Sequence, residues 1–321
     1  MKTPCTRLLS LSLIAQSLVW LAPAAQGASR VVAWGDLSYD VNLLSARSRD
    51  VGVAQLAAGD FHSIALLNDG TITDWGDDRF GQTDIPASLY RTRASQIAAG
   101  NIHNLALTPS GTVVAWGVGG GQPGDFGQTM VPAGLRRASA IAAGAVHSLA
   151  LMRDGTVAAW GHNVYGQCNV PPGLKRVAAI AGGMYHSLAL KHDGTVVAWG
   201  DNNCGQSDVP EGLNHVVAIA AGGFHSLALR ADGTVVFWGG YGLIRGSAQP
   251  ELTDVAAIAS GDYHNLALKR DGTVVAWGLD TAGQCDVPAG LQNVVAIAAR
   301  GSHSMVLINE RSIRSHARTA N

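Results

Sequence analysis

Seven histidines and seven Trp-Gly pairs punctuate this chain at a regular interval, and the two series are out of step. His62, His103, His147, His186, His225, His264 and His303 recur in variants of one context, A-G-x-x-H-S/N-L-A-L. A Trp-Gly follows thirteen residues after each of the first six, at Trp75, Trp116, Trp160, Trp199, Trp238 and Trp277. The last histidine has no such partner, since His316 holds that place, and a seventh Trp-Gly, Trp34-Gly35, stands alone near the front. Two half-motifs, each present seven times but offset by one, predict a closed ring of seven units. The last unit is then assembled from both ends of the chain.

One complete unit runs from Val216 to Gly239. His225, Leu227 and Leu229 alternate with Ser226, Ala228 and Arg230, and Val235 and Phe237 alternate with Val236 and Trp238. A period of two with β-branched residues predicts strands. Asp-Gly between two such runs predicts a tight hairpin, because both turn residues tolerate positive φ. It occurs at Asp69-Gly70, Asp154-Gly155, Asp193-Gly194, Asp232-Gly233 and Asp271-Gly272, with Ser110-Gly111 once in its place. These hairpins exclude helical repeats of similar length. Each unit supplies at least three antiparallel strands, V-V-A-I-A, H-S-L-A-L and T-V-V-A-W, with a fourth outer strand in the V-P-x-G-L link as a further expectation. So small a sheet cannot bury both faces alone, whereas seven stacked radially can. The fold expected is all-β, a seven-bladed β-propeller closed by pairing the N-terminal strand around Trp34 with the C-terminal blade.

Composition fits this reading. Of 321 residues only 14% are charged, 47% are hydrophobic and 40 are glycine, which suits a β-rich protein with many tight turns. Residues 1–27 read as a secretory leader: Lys2 and Arg7 precede an apolar run from Leu8 to Ala22, and Ala25-Gln26-Gly27 offers a cleavage site. The expected domains are this leader (1–27), a single propeller (28–308) and a polar tail (309–321) containing Arg311, Arg314 and Arg318. Without the leader, 20 basic residues face 23 acidic ones. No basic patch or aromatic-basic stripe of the sort that grips phosphates is expected, so nucleic acid is not an expected partner. The expected location is secreted or periplasmic, with no membrane insertion once the leader is removed. Cys168, Cys204 and Cys285 are an odd number. At least one thiol is therefore free or intermolecular; Cys168 and Cys204 lie on adjacent units, and the distance between equivalent loops leaves their pairing open.

Length changes point to the functional side. The thirteen-residue step from His to Trp never varies, whereas the steps from Trp to the next His are 28, 28, 31, 26, 26, 26 and 26. The Trp-to-His connections begin at the end of the blade that bears the A-G-x-x-H loops, and the Asp-Gly hairpins lie at the other end. Partner binding is expected on the variable side. Candidate anchors there are Phe61, Tyr185, Phe224 and Tyr263, just before the repeat histidine, and Phe80, Phe126 and Tyr165, near the Gly-Gln. Tyr39, Tyr241 and Arg245 are further candidates, from the two connections that lack Gly-Gln. The seven histidines read as scaffold, because a catalytic constellation is asymmetric and these recur in every unit. Asp201 to Gly205, D-N-N-C-G, lacks the downstream Glu of a calcium loop. Neither a C-x-x-C, a G-x-S-x-G, a phosphate-binding loop nor an H-E-x-x-H occurs. No catalytic residue, cofactor or metal is expected.

The H-S-L-A-L, D-G-T-V-V-A-W-G and G-Q segments resemble the repeats of the regulator of chromosome condensation superfamily, seven-bladed propellers, over about residues 28 to 308. In style they are most similar to its secreted, β-lactamase-inhibiting bacterial branch. That resemblance implies a rigid, monomeric, non-enzymatic protein that uses the loops of one face to cover a protein, such as a β-lactamase or a penicillin-binding-type enzyme. Two other readings stay open. One is a propeller lyase or hydrolase at the channel mouth, for which His162, Asp36 and Asp262 are available. The other is a guanine-nucleotide exchange-like regulator, against which the leader argues.

Overall fold

The computed structural model describes residues 29–38, 51–240 and 252–310. The leader, most of the tail, Tyr39, Tyr241 and Arg245 lie outside the described residues.

Seven three-stranded antiparallel sheets form the blades. Blade 1 is β2 (Val53–Ala58), β3 (His62–Leu67) and β4 (Ile72–Gly76). Blade 2 is β5 (Gln96–Ala99), β6 (His103–Leu107) and β7 (Val113–Gly117). Blade 3 is β8 (Ala138–Ala143), β9 (His147–Met152) and β10 (Val157–Gly161), and blade 4 is β11 (Val177–Gly182), β12 (His186–Lys191) and β13 (Val196–Gly200). Blade 5 is β14 (Val216–Ala221), β15 (His225–Arg230) and β16 (Val235–Gly239), and blade 6 is β17 (Val255–Ser260), β18 (His264–Lys269) and β19 (Val274–Gly278). Blade 7 joins β20 (Val294–Arg300) and β21 (His303–Asn309) to β1 (Ser29–Gly35), in the order β1-β21-β20. Trp34 pairs with Ser304, as Trp199 pairs with Ser187 in blade 4. The predicted closure is therefore present, and each inner strand touches the next around the whole ring, β20 meeting β2.

Small residues sit where the strands converge. Five of the seven inner strands end in Ala or Gly, at Ala58, Ala99, Ala143, Gly182 and Ala221, and these line a narrow axial cavity with Ser260 and Arg300. Larger side chains would not fit around the axis. Farther out, the leucines of each middle strand meet the tryptophan of the following blade. Leu149 and Leu151 pack with Ile180 and Trp199. Trp34 completes the pattern, packing with Leu266 and Leu268 of blade 6. Burying a leucine side chain stabilises by about 2 kcal/mol, and this layer repeats at every joint.

One expectation is corrected and one open question is closed. The V-P-x-G-L link adds no fourth strand to any described sheet. It closes as turns instead: Leu135, Leu174 and Leu213 N–H groups donate to the carbonyls of Pro132, Pro171 and Pro210. Gly134, Gly173 and Gly212 supply the positive φ of the third turn position. Between blades 1 and 2 a short helix, α1 (Ala87–Thr92), takes part of this link. Cys168 and Cys204, whose pairing the sequence left open, do not pair; both are free, as is Cys285. Cys168 and Cys285 instead donate their thiols to the carbonyls of His162 and Leu279, as Ser207 donates its hydroxyl to Asp201. Burial pushes the two thiols up to about 11 and about 12.

Candidate functional site

The repeat histidines are blade joints. His186 Nε2 lies 2.9 Å from Ser226 Oγ of the next blade. The Ser226 hydroxyl donates to the Gln206 carbonyl at 2.9 Å, and the Trp238 indole N–H donates to the same oxygen at 3.0 Å. Because the serine proton is committed to the carbonyl, Ser226 must accept from the histidine, which fixes the Nε2–H tautomer. Histidine-to-Ser/Asn contacts of 2.7 to 3.3 Å recur at all seven joints, including His303 to Ser63. Each ring is buried and neutral, and burial pushes its titration down to about 3 or 4. The glycine of A-G-x-x-H makes room for it: a Cβ on Gly183 would stand 2.2 Å from His186 Cε1.

The Gly-Gln does a second job on the variable side. The buried Gln167 side chain accepts from the Tyr165 N–H at 3.0 Å, and Gln128 accepts likewise from Phe126 at 2.7 Å. These bonds hold the preceding aromatic at the loop tip. Phe126 and Tyr165 are nearly half exposed. The structure gathers four rings from three loops. Phe126 packs edge-on against His162 at 4.6 Å, and His162 lies 5.7 Å from Tyr185, which lies 4.9 Å from Tyr165. Phe224 and Tyr263 form a second pair at 5.8 Å. Phe80 lies apart in an open groove with Arg79, Trp116 and Gln122. Phe61 is exposed beside the axial mouth, one residue after Asp60. His162 was legible as a titratable group but not as the centre of the aromatic cluster.

A one-of-a-kind ionic cluster caps the axis on this same side. Six inner strands run into glycine at Gly59, Gly100, Gly144, Gly183, Gly222 and Gly261; the seventh has Arg300. Its side chain, 7% exposed, reaches over the mouth to carboxylates on both neighbouring blades, Asp60 at 3.7 Å and Asp262 at 3.8 Å. It also donates to Asn101 Oδ1 of blade 2 at 3.1 Å. Burial, reinforced by the Asp262 charge, pushes Asp60 up to about 7, and burial raises Asp262 too. The asymmetric carboxylates that an enzymatic reading requires are thus present, but they are engaged with Arg300. The cavity beneath is about 60 Å³, room for about four waters. Asp36 belongs to the first turn beyond β1, where its carboxylate accepts from Ser38. Among the described residues no three His, Cys, Asp or Glu side chains are grouped as metal ligands.

Comparisons with known proteins agree with this architecture. The family model "Regulator of chromosome condensation (RCC1) repeat" matches residues 53–82, 138–167, 177–206, 216–240 and 255–284. No curated protein matches the chain. Among solved structures, Prp20p from Saccharomyces cerevisiae is similar with a TM-score of 0.72 and 21% identity, covering 92% of this chain and 94% of that one. Human WBSCR16 gives a TM-score of 0.66 at 20% identity, over 86% and 99% of the two chains. The ectodomain of the Physcomitrella patens receptor kinase CR4 gives 0.62 at 22% identity, over 78% and 69%. Five matching segments, on a ring whose seven joints share a histidine-to-Ser/Asn contact, show that this chain is built from repeats of the regulator of chromosome condensation family.

Proposed function

We propose that the protein is an exported, non-enzymatic binding propeller that covers a protein partner with its loop face. The observation that carries this reading is the cluster Phe126–His162–Tyr165–Tyr185, with Phe224–Tyr263 beyond it on the next blades. Partly exposed aromatics held in place by buried glutamines are preorganised anchors, and they lose little freedom on docking. Relatives of the same fold are described with protein partners: Prp20p with Gsp1p and histones, and Prp20 bound by Kap60. Export rests on the leader-like residues 1–27. In its most concrete form the partner is a serine β-lactamase or a penicillin-binding-type enzyme.

The test is capture of envelope and secreted proteins by the purified protein, together with β-lactamase assays in its presence. The expected result is a retained partner that is lost with a Phe126→Ala/Tyr185→Ala double variant of unchanged thermal stability. Turnover of a small molecule with no protein retained, or retention indifferent to the double variant, would sink the reading. A regulator-type role, favoured by the likeness to Prp20p, is the second reading. Capture of a cytosolic nucleotide-binding protein instead would select it.

A further inference from the structure

The face opposite the aromatic loops carries a charge that no linear stretch of the sequence displays. Each Asp-Gly hairpin ends beside the residues leading into the next blade's inner strand. In blades 2 to 4 these positions are repeatedly basic: Arg93 precedes β5, Arg136 and Arg137 precede β8, and Lys175 and Arg176 precede β11. Arg153 stands in the adjoining hairpin of blade 3. The backbone joins them into one surface. The Arg153 N–H donates to the Arg137 carbonyl at 3.0 Å, and the His192 N–H to the Arg176 carbonyl at 2.9 Å. A Cβ on Gly155 would meet Arg176 Cα at 3.2 Å.

All six side chains are exposed. None forms an ion pair among the described residues. Three acids share this sector and are outnumbered by the six bases: Asp69, Asp154 and Asp193 accept from Thr71, Thr156 and Thr195 within their turns, and Asp193 also pairs with Lys191 at 2.9 Å. The excess is confined to this sector. In blades 5 to 7 the lead-in positions hold His215, Asp254 and Asn293, and Arg270 pairs with Asp254 at 3.3 Å. Arg93, Arg137 and Arg176 also hold positive φ of 61°, 63° and 59°. His215, Asp254 and Asn293 share that conformation at 53°, 61° and 57°, so it belongs to the blade junction and the bases occupy positions that the repeat already shapes.

We propose that this sector docks the propeller onto an anionic phospholipid surface. The bases stand at the tips of adjacent blades, so a planar surface meets them together. Mobile headgroups can gather around the bases and avoid Asp154 and Asp193, whereas a rigid polyanion cannot rearrange in this way. Among the described residues the patch holds no ring contact of the kind that stacks nucleic acid bases. Docked so, the molecule holds its aromatic face away from the membrane. The proposal stands independently of what that face binds.

The test is cosedimentation of the purified protein with vesicles. Binding is expected to phosphatidylglycerol vesicles at low salt, with release in about 0.5 M salt and no comparable binding to phosphatidylcholine. Each juxtamembrane base strengthens such binding about fivefold, so Arg137→Glu and Arg176→Glu each weaken it at least about tenfold. Arg136→Gln with Lys175→Gln, at positions of ordinary φ, gives a similar loss should the first pair fold poorly. Tyr185→Ala leaves vesicle binding unchanged. Equal binding to both lipids, indifference to these charge variants, or tighter binding of duplex DNA through Arg137 and Arg176 overturns the proposal.

Discussion

Blade 4 and blade 7 are built from the same repeat and held together differently. Blade 4 is continuous in sequence. Its inner strand leads into Gly183, His186 lies over that glycine, and the joint to Ser226 is 2.9 Å. Blade 7 borrows its outer strand from residues 29–35, carries Arg300 in place of the glycine, and makes a longer joint of 3.3 Å to Ser63. It compensates with long-range contacts: seven paired positions between β1 and β21, and an arginine that ties blade 6, blade 1 and blade 2 together over the axis. Where chain connectivity keeps neighbouring strands together, one relay suffices. Where the ring must close between distant segments, loop-closure entropy opposes pairing, and added contacts offset it.

The most severe way to break this comparison is to remove β1. Deleting residues 29–35 uncovers Leu266 and Leu268 and should cost about 10 kcal/mol, a typical total stability. The expected outcome is loss of the cooperative thermal transition in calorimetry. A transition retained within a few degrees would mean that blade 7 needs no outer strand.

Acid attacks every joint together. In the unfolded chain the seven relay histidines titrate near 6.5; in the fold they are pushed down to about 3 or 4. Their contribution is full above about pH 6.5 and is lost as pH falls towards 4. Asp60 and Asp74, pushed up to about 7 mainly by burial, and Asp262, also raised, act in the opposite sense over this window. Seven histidines against Asp60 and Asp74 leave at most about five protons of difference, or up to roughly 7 kcal/mol per pH unit, which Asp262 reduces. Circular dichroism should show cooperative unfolding between about pH 6 and 4. A fold stable to pH 3 would refute the neutral ring.

Removing the Arg300 side chain isolates the closing joint. Arg300→Ala leaves two buried carboxylates without their cation and should cost about 3 to 5 kcal/mol at pH 8. The cost shrinks at pH 6, because Asp60, pushed up to about 7, then takes up a proton. Denaturant melts at the two pH values test this, and an equal cost at both would show that packing rather than charge dominates.

The smallest effect is the sharpest comparison. His186→Ala removes the 2.9 Å joint and should cost about 3 kcal/mol through cavity and hydrogen-bond loss. His303→Ala removes the 3.3 Å joint and should cost about 1 kcal/mol less. Equal costs, measured in urea, would mean that the closing joint is no weaker than the others.

Much of this architecture was legible in the chain. The thirteen-residue step, the Asp-Gly turns and the unmatched Trp34 together specify seven blades and their closure. The relay was less legible. Its acceptor is a backbone carbonyl, that of Gln206 or its counterparts, and every residue has one, so no side-chain pattern marks it. Arg300 did leave a signal, a charged residue where six other repeats have glycine. The V-P-x-G-L link was misread because alternating apolar residues suit a strand as well as a turn, and only the Pro carbonyl bonds to Leu135, Leu174 and Leu213 decide between them. The basic sector escaped notice because its residues come one or two per repeat.

By itself the sequence determined what recurs: strand alternation, turn positions, the buried Leu and Trp layers and the number of blades. These follow from local φ/ψ preferences and a period-two pattern, which short stretches carry. Only the tertiary structure decided what converges. Phe126, His162, Tyr165 and Tyr185 become one cluster, Arg300 meets Asp60 across 240 positions of chain, and scattered bases become one charged sector. Radial stacking sets those neighbours, placing residues about one repeat apart side by side at each joint, and no local propensity encodes that distance.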